Sequence, residues 1–190
     1  MRLCNDDEGT AIVESALVLP IFTMFVFAIL EFGLVFQHVQ TVGNMTRVGA
    51  RTAAIAGDEA DADLRILAAV AEAGEAMPVS DIHRIVVFSA VGPESTIPEP
   101  CKTSNSAAVL ASNECNVYLP SDIGSPASSF GCGVGDLDTP WCPTTRDVTA
   151  GGRAFIGIWV EAERQYVTGI FGDSVTVSDS VILRIEPDLL

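Results

Sequence analysis

From Thr10 to Phe36 the chain reads TAIVESALVLPIFTMFVFAILEFGLVF, an apolar run broken only by Glu14, Glu31 and a few small polar groups. No other feature limits the fold so sharply, because about 20 apolar helical residues match the thickness of a bilayer core. The uncharged centre, Ser15 to Leu30, is flanked by the two glutamates, and their separation of seventeen residues corresponds to about 25 Å of helix. The segment is therefore expected to span a membrane with one carboxylate near each interface. Glu31 then marks the outer boundary. Glu14 lies one turn inside the apolar run, where a carboxylate is costly. Pro20 is tolerated in a membrane helix and is expected to kink it.

A cleaved secretory signal has a basic start, a short apolar stretch and a small-residue cleavage site just beyond it. Here MRLCNDDEG carries one arginine against three acids, the apolar run is too long, and the A-x-A at Ala54 to Ala56 comes late. A membrane anchor fits better.

Charge separates the chain into two parts. The net charge is −15, which argues against a nucleic-acid partner, since phosphate binding needs a basic surface. Residues 58–190 hold twenty acidic and seven basic side chains, a net −13, while Glu14 and Glu31 cancel Arg47 and Arg51 between residues 10 and 57. A soluble acidic domain on a nearly neutral apolar helix is the arrangement implied; acidity of this kind favours solubility and names no ligand.

The helix is expected to continue beyond the membrane to about Ala56. Val35, Val39, Val42, Met45, Val48, Thr52 and Ile55 form a stripe at helical spacing, Gly43, Gly49, Ala50, Ala53 and Ala54 leave room for close packing, and Gly57 suits the C-terminal cap. A second helix follows, capped by Asp61 or Asp63, with Ile66, Leu67, Val70 and Ala73 as its apolar face and Pro78 as its stop. Three strands are predicted: Ile82 to Val91, AFIGIWVEA with Ile156, Ile158 and Val160 on one face, and SVTVSDSVILRIE. In the last, Val175, Val177, Val181, Leu183 and Ile185 point inward and Asp179 breaks the row, as at a bulge. The last two strands pair as antiparallel neighbours across QYVTGIFGD, whose Tyr166, Ile170 and Phe171 read as a local cap over the core, or else as a partner or membrane-surface contact.

Between Gly92 and Gly152 lies a long segment rich in Pro, Ser, Gly, Asn and Thr, and loops of such length are uncommon unless functional or stapled. Cys101, Cys115, Cys132 and Cys142 fall inside it. Four cysteines allow three pairings; Cys101–Cys115 and Cys132–Cys142 close the smallest loops and are the expected disulfides. A zinc site calls for tight C-x-x-C pairs, which the sequence lacks. Disulfides place the domain on the oxidising side of the membrane. Arg47 and Arg51 on the same side argue for the opposite orientation, but they lie two or more turns past the span, and the cysteines outweigh them.

Catalytic and cofactor signatures are missing: no G-x-S-x-G, no H-E-x-x-H, no phosphate loop. GCGVGD at Gly131 lacks dinucleotide-fingerprint spacing. His38 and His83 read as surface or packing residues, and Asp136 and Asp138 as solvated loop acids. No cofactor, metal or small-molecule substrate is expected.

Gly9 directly before the apolar helix, with Glu14 as the fifth residue after it, resembles the processing site of type IV prepilins. The wider pattern adds Leu19-Pro20, EFG at Glu31 to Gly33 and RVGARTAA at Arg47 to Ala54. Over about residues 9–57, with a looser echo in YVTGIFGDSVTVSDSVILRIEP, it is similar to the TadE-like family, small pilin-like components of Tad/Flp tight-adherence pilus systems. The acidic Asp6, Asp7 and Glu8 stand where prepilin leaders usually carry basic residues. The resemblance implies that a prepilin peptidase cuts between Gly9 and Thr10 on the cytoplasmic side. The new Thr10 ammonium of one subunit and the Glu14 carboxylate of another then offset each other's burial. Cys4 leaves with the leader.

The reading is an α+β, pilin-like, single-pass protein. It comprises a leader (1–9), a transmembrane helix (10–36), a juxtamembrane extension (37–57) and an extracytoplasmic antiparallel-sheet domain (58–190) with a disulfide-bearing loop (92–152). Its implied partners are the lipid bilayer, other pilin-like subunits, the pilus assembly platform and the peptidase. The rival readings are a membrane-anchored adhesin or envelope protein that never enters a filament, and an exported enzyme.

Overall fold

The computed structural model describes residues 6–103, 114–147 and 155–186. One helix of 51 residues, α1 (Asp6–Ala56), accounts for the apolar run and its extension. It passes through Pro20 as one continuous helix, although the ring removes the N–H that would bond to the Ala16 carbonyl. Gly57, at φ 56°, closes it, and its N–H donates to the Ala53 carbonyl.

After α1 come α2 (Ala62–Ala73), β1 (Ile82–Ala90), the short α3 (Glu99–Thr103), β2 (Cys115–Tyr118), β3 (Phe155–Gln165) and β4 (Ser174–Arg184). The strands form one antiparallel sheet in the order β2-β1-β3-β4. The architecture is α+β. The C-terminal half of α1 lies with α2 across one face of the sheet, burying Val42, Met45, Ala50 and Ala53 against Ile66, Leu67, Val70, Ile85, Ile156, Ile158 and Val160. Alternation along β3 sends Trp159 to the opposite face, where it meets Val86, Phe88, Ile97, Cys101, Cys115 and Val117. The loop region thus supplies a second, smaller core.

The α1 seam follows the small residues more closely than the apolar stripe. Val39 and Ile55 are exposed, while Thr41, Thr46, Gly49, Ala50 and Ala53 are buried. Small residues win because α1 must approach two elements at once. At Gly49 an added Cβ would lie 2.6 Å from Val70 Cγ2 and 3.2 Å from Ile158 Cγ2.

Three local expectations need correction. Asp179 marks no bulge: the β3–β4 ladder is continuous from Phe155↔Arg184 to Gln165↔Ser174. Its carboxylate accepts from the Thr46 hydroxyl at 2.9 Å, so a polar contact with α1 replaces an apolar one. The register irregularity falls in β1, between Ile82 and Arg84. Leu183, expected inward, is exposed. Within the long loop the sequence concealed a strand: β2, four residues long, pairs with β1 at the sheet edge.

Candidate functional site

The first half of α1 touches almost nothing. Ile12, Leu17, Leu19, Phe22, Phe25, Ile29 and Leu30 are all exposed, and only 6% of the most apolar window is buried. A contiguous apolar surface of this extent calls for lipid or other apolar helices around it. Glu14 is exposed within it, beside Ser15, Val18, Leu19 and Phe22. Four residues separate Thr10 from Glu14, so both lie on one helical face, one turn apart. The Gly9–Thr10 bond sits in the opening turns of α1; Cys4 falls outside the described residues.

Glu31 has a more definite role than that of a boundary marker. It is 2% exposed. Its Oε1 accepts the Thr168 N–H at 2.6 Å and the Thr168 hydroxyl at 2.8 Å. Thr168 lies in the β3–β4 hairpin loop, which folds back onto α1 so that the Phe171 ring stacks 5.3 Å from that of Phe32. The loop therefore caps the helix rather than the sheet core. Sequence signals for this contact are weak, because a threonine just before a glycine in a hairpin loop is ordinary.

Both cysteine pairs lie at bonding distance. Cys101 and Cys115 (Cα–Cα 6.3 Å) tie α3 to β2 inside the second core. Cys132 and Cys142 (Cα–Cα 5.3 Å) close a more exposed loop.

The loop beyond β2 is organised by a buried polar cluster. Asp63 does not cap α2: it sits inside the helix, fully buried, with its carboxylate aimed under the sheet edge. Asp63 Oδ2 accepts from Asn116 Nδ2 (2.7 Å), Tyr118 Oη (2.6 Å) and Arg146 Nη2 (2.8 Å). Arg146 Nη2 is also 2.8 Å from Oδ1, but aligned to donate only to Oδ2, so the second approach is electrostatic. The guanidinium stacks 4.2 Å over Trp141, whose N–H and carbonyl bracket the Asn116 amide. Asp138, expected in solvent, is buried. Its Oδ1 lies 2.6 Å from Tyr118 Oη and its Oδ2 accepts the Gly131 N–H. One phenolic proton serves one carboxylate, so both Tyr118 contacts are satisfied when Asp138 carries a proton and donates to Oη. Burial first, and the charge of Asp63 second, push Asp138 from 3.8 to about 6. Burial, reinforced by both carboxylates, drives the Tyr118 phenol well above its usual value. One sequence signal was present for Asp63: with Ile66, Leu67 and Val70 it falls on the buried stripe of α2.

His38 is buried on α1 with Nε2 3.4 Å from Asp81, and His83 Nε2 lies 2.8 Å from Glu163. The Ser174 hydroxyl bonded to Glu163, and then the nearby His83, hold that carboxyl below its ordinary value. Among the described residues no three His, Cys, Asp or Glu side chains converge as metal ligands would.

Residues 9–51 match the family model described as TadE-like protein. The N-terminal segment of this chain is TadE-like. The match starts at the glycine before the apolar run and ends within the buried half of α1. No curated protein and no solved structure gives a significant match. The likeness is confined to residues 9–51 of the 190. By length and composition, and with 6% of its most apolar window buried, α1 is suited to crossing a membrane. The sheet domain lies outside the matched TadE-like stretch.

Proposed function

We propose that this chain is a pseudopilin: a non-catalytic, single-pass subunit whose work is assembly with other pilin-like subunits and the platform that handles them. A prepilin peptidase removes residues 1–9 on the cytoplasmic side. The sheet domain stands on the opposite, oxidising side, a placement favoured by its two cysteine pairs. The observation that carries the proposal is Glu14: a carboxylate set in an otherwise apolar, exposed helical surface, one turn after Thr10 and inside the TadE-like match. A buried charge of this kind is tolerable when an opposite charge meets it, and cleavage after Gly9 creates such a charge. The α1 helices of neighbouring subunits would then pack side by side, Glu14 of one against the Thr10 ammonium of the next.

N-terminal sequencing of the membrane-extracted protein tests the proposal. The expected start is Thr10. A mature protein that retains Met1 refutes it and favours a simple membrane anchor, whereas one that begins near Gly57 has lost the apolar helix and refutes both readings.

A further inference from the structure

We infer that the tip of the β3–β4 hairpin is a membrane foot: Val167, Ile170 and Phe171 enter the interfacial zone of the bilayer beside the point where α1 leaves it. The inference rests on the reading of α1 as the membrane anchor and extends it to a part of the chain far away in sequence.

Position is the first argument. Glu31 follows directly on the uncharged stretch Ser15 to Leu30, and the tip is bonded to Glu31 through the amide and hydroxyl of Thr168. The Phe171 ring rests on Phe32, and Leu30, Gly33, Leu34 and Val167 line an open apolar groove between helix and tip. Whatever depth the end of the span adopts, the tip shares it.

Chemistry is the second. Val167 is 71% exposed, Ile170 45% and Phe171 43%, and they continue the exposed apolar surface of Leu30, Phe32 and Phe36. From Tyr166 to Gly172 the loop reads YVTGIFG, without a charged side chain, in a domain otherwise rich in acids. An acidic domain that keeps charge away from one loop, and sets that loop against its own membrane helix, matches the interfacial zone of lipid. The absence of Lys and Arg from the tip makes the contact hydrophobic, not one with anionic headgroups.

Rigidity is the third. Eleven consecutive residue pairs hold β3 against β4, and the Tyr166 N–H donates to the Asp173 carbonyl at the base of the loop. The tip is the end of a stiff lever, so lipid contact there fixes the orientation of the whole sheet domain on the membrane. It also explains how Glu31 is accommodated at the hydrocarbon edge: its carboxylate is shielded by the tip and supplied with donors instead of relying on water.

The experiment uses the full chain with Cys4→Ser, disulfides intact, in phosphatidylcholine vesicles. A nitroxide label is placed by Val167→Cys or Ile170→Cys, with Leu30→Cys as the reference within the span and Val134→Cys as the reference on an exposed loop. Collision with oxygen, which concentrates in lipid, is compared with collision with a water-soluble nickel chelate. The foot predicts an oxygen-to-nickel ratio at both tip sites several-fold above that at Val134→Cys and approaching that at Leu30→Cys. Either tip label behaving like Val134→Cys while Leu30→Cys is in lipid overturns the foot and leaves the anchor intact. Nickel access at Leu30→Cys overturns the anchor and the foot together. Tip labels shielded from both reagents mean that protein, a second copy of the chain or another subunit, covers the tip, and that result also overturns the inference.

Discussion

The Asp63–Arg146 pair ties α2 to the far end of the long loop, and its removal has a calculable consequence. Both side chains are fully buried. Arg146→Met keeps the volume near Trp141 but removes the cation, leaving Asp63 with donors from Asn116 and Tyr118 only. Breaking a buried pair by deleting one partner typically costs about 3–5 kcal/mol. The destabilisation by Arg146→Met is therefore expected at about 3–5 kcal/mol. This is a large share of the roughly 5–15 kcal/mol that holds an ordinary domain together. The double variant Asp63→Asn, Arg146→Met removes both charges of the pair and should lie within about 1–2 kcal/mol of the parent, so the two changes are strongly non-additive. Guanidinium unfolding of the detergent-solubilised chain reads this directly, because Trp141 and Trp159 are its only tryptophans and both are in the domain. A loss below about 1 kcal/mol, or simple additivity in the double variant, refutes the account.

Four further outcomes are expected. Asp138 has a folded pKa raised to about 6, so its contribution to stability is complete below pH 3.8 and is lost as pH rises through about 6. Acidification from pH 7 to 5 should therefore stabilise the parent over Asp138→Asn by about 1.3 kcal/mol, measured by the same unfolding curves; equal responses would remove the assignment. Glu14→Gln should leave membrane insertion intact and reduce co-purification of pilin-like partners and piliation, whereas normal recovery of both would show that Glu14 has no charged partner. Gly49→Ala sets a Cβ against the stiff Val70 side chain and should lower stability by about 1–2 kcal/mol despite alanine's better helix propensity, so a raised melting temperature would contradict the packing described. A phosphine reductant should open Cys132–Cys142 before Cys101–Cys115, since Cys132 is exposed while both members of the other pair are buried; peptide mapping of alkylated thiols would reveal the reverse order.

What the sequence determined by itself is what depends on local pattern and composition. The apolar run from Thr10 to Phe36 specifies a lipid-compatible helix without reference to any other residue, and Gly57 stops its extension because a glycine enters positive φ cheaply. Alternation along β3 and β4 assigns their faces, and a short connection makes the two strands antiparallel neighbours. The TadE-like match over residues 9–51 is likewise a linear signal, and the Gly9–Glu14 spacing falls inside it. Only the tertiary structure decided where polar side chains end up, because their cost is set by partners remote in sequence. Asp63 reads as a cap and Asp138 as a solvated acid until the fold brings Tyr118 and Arg146 to them. Asp179 reads as a defect in a strand until Thr46 is placed opposite it on α1. Glu31 reads as a boundary charge until a hairpin tip 137 residues away supplies its donors. β2, too short to show a period, exists because β1 offers it an unpaired edge. Apolar periodicity is a property of a segment, whereas satisfaction of a buried charge belongs to the whole fold.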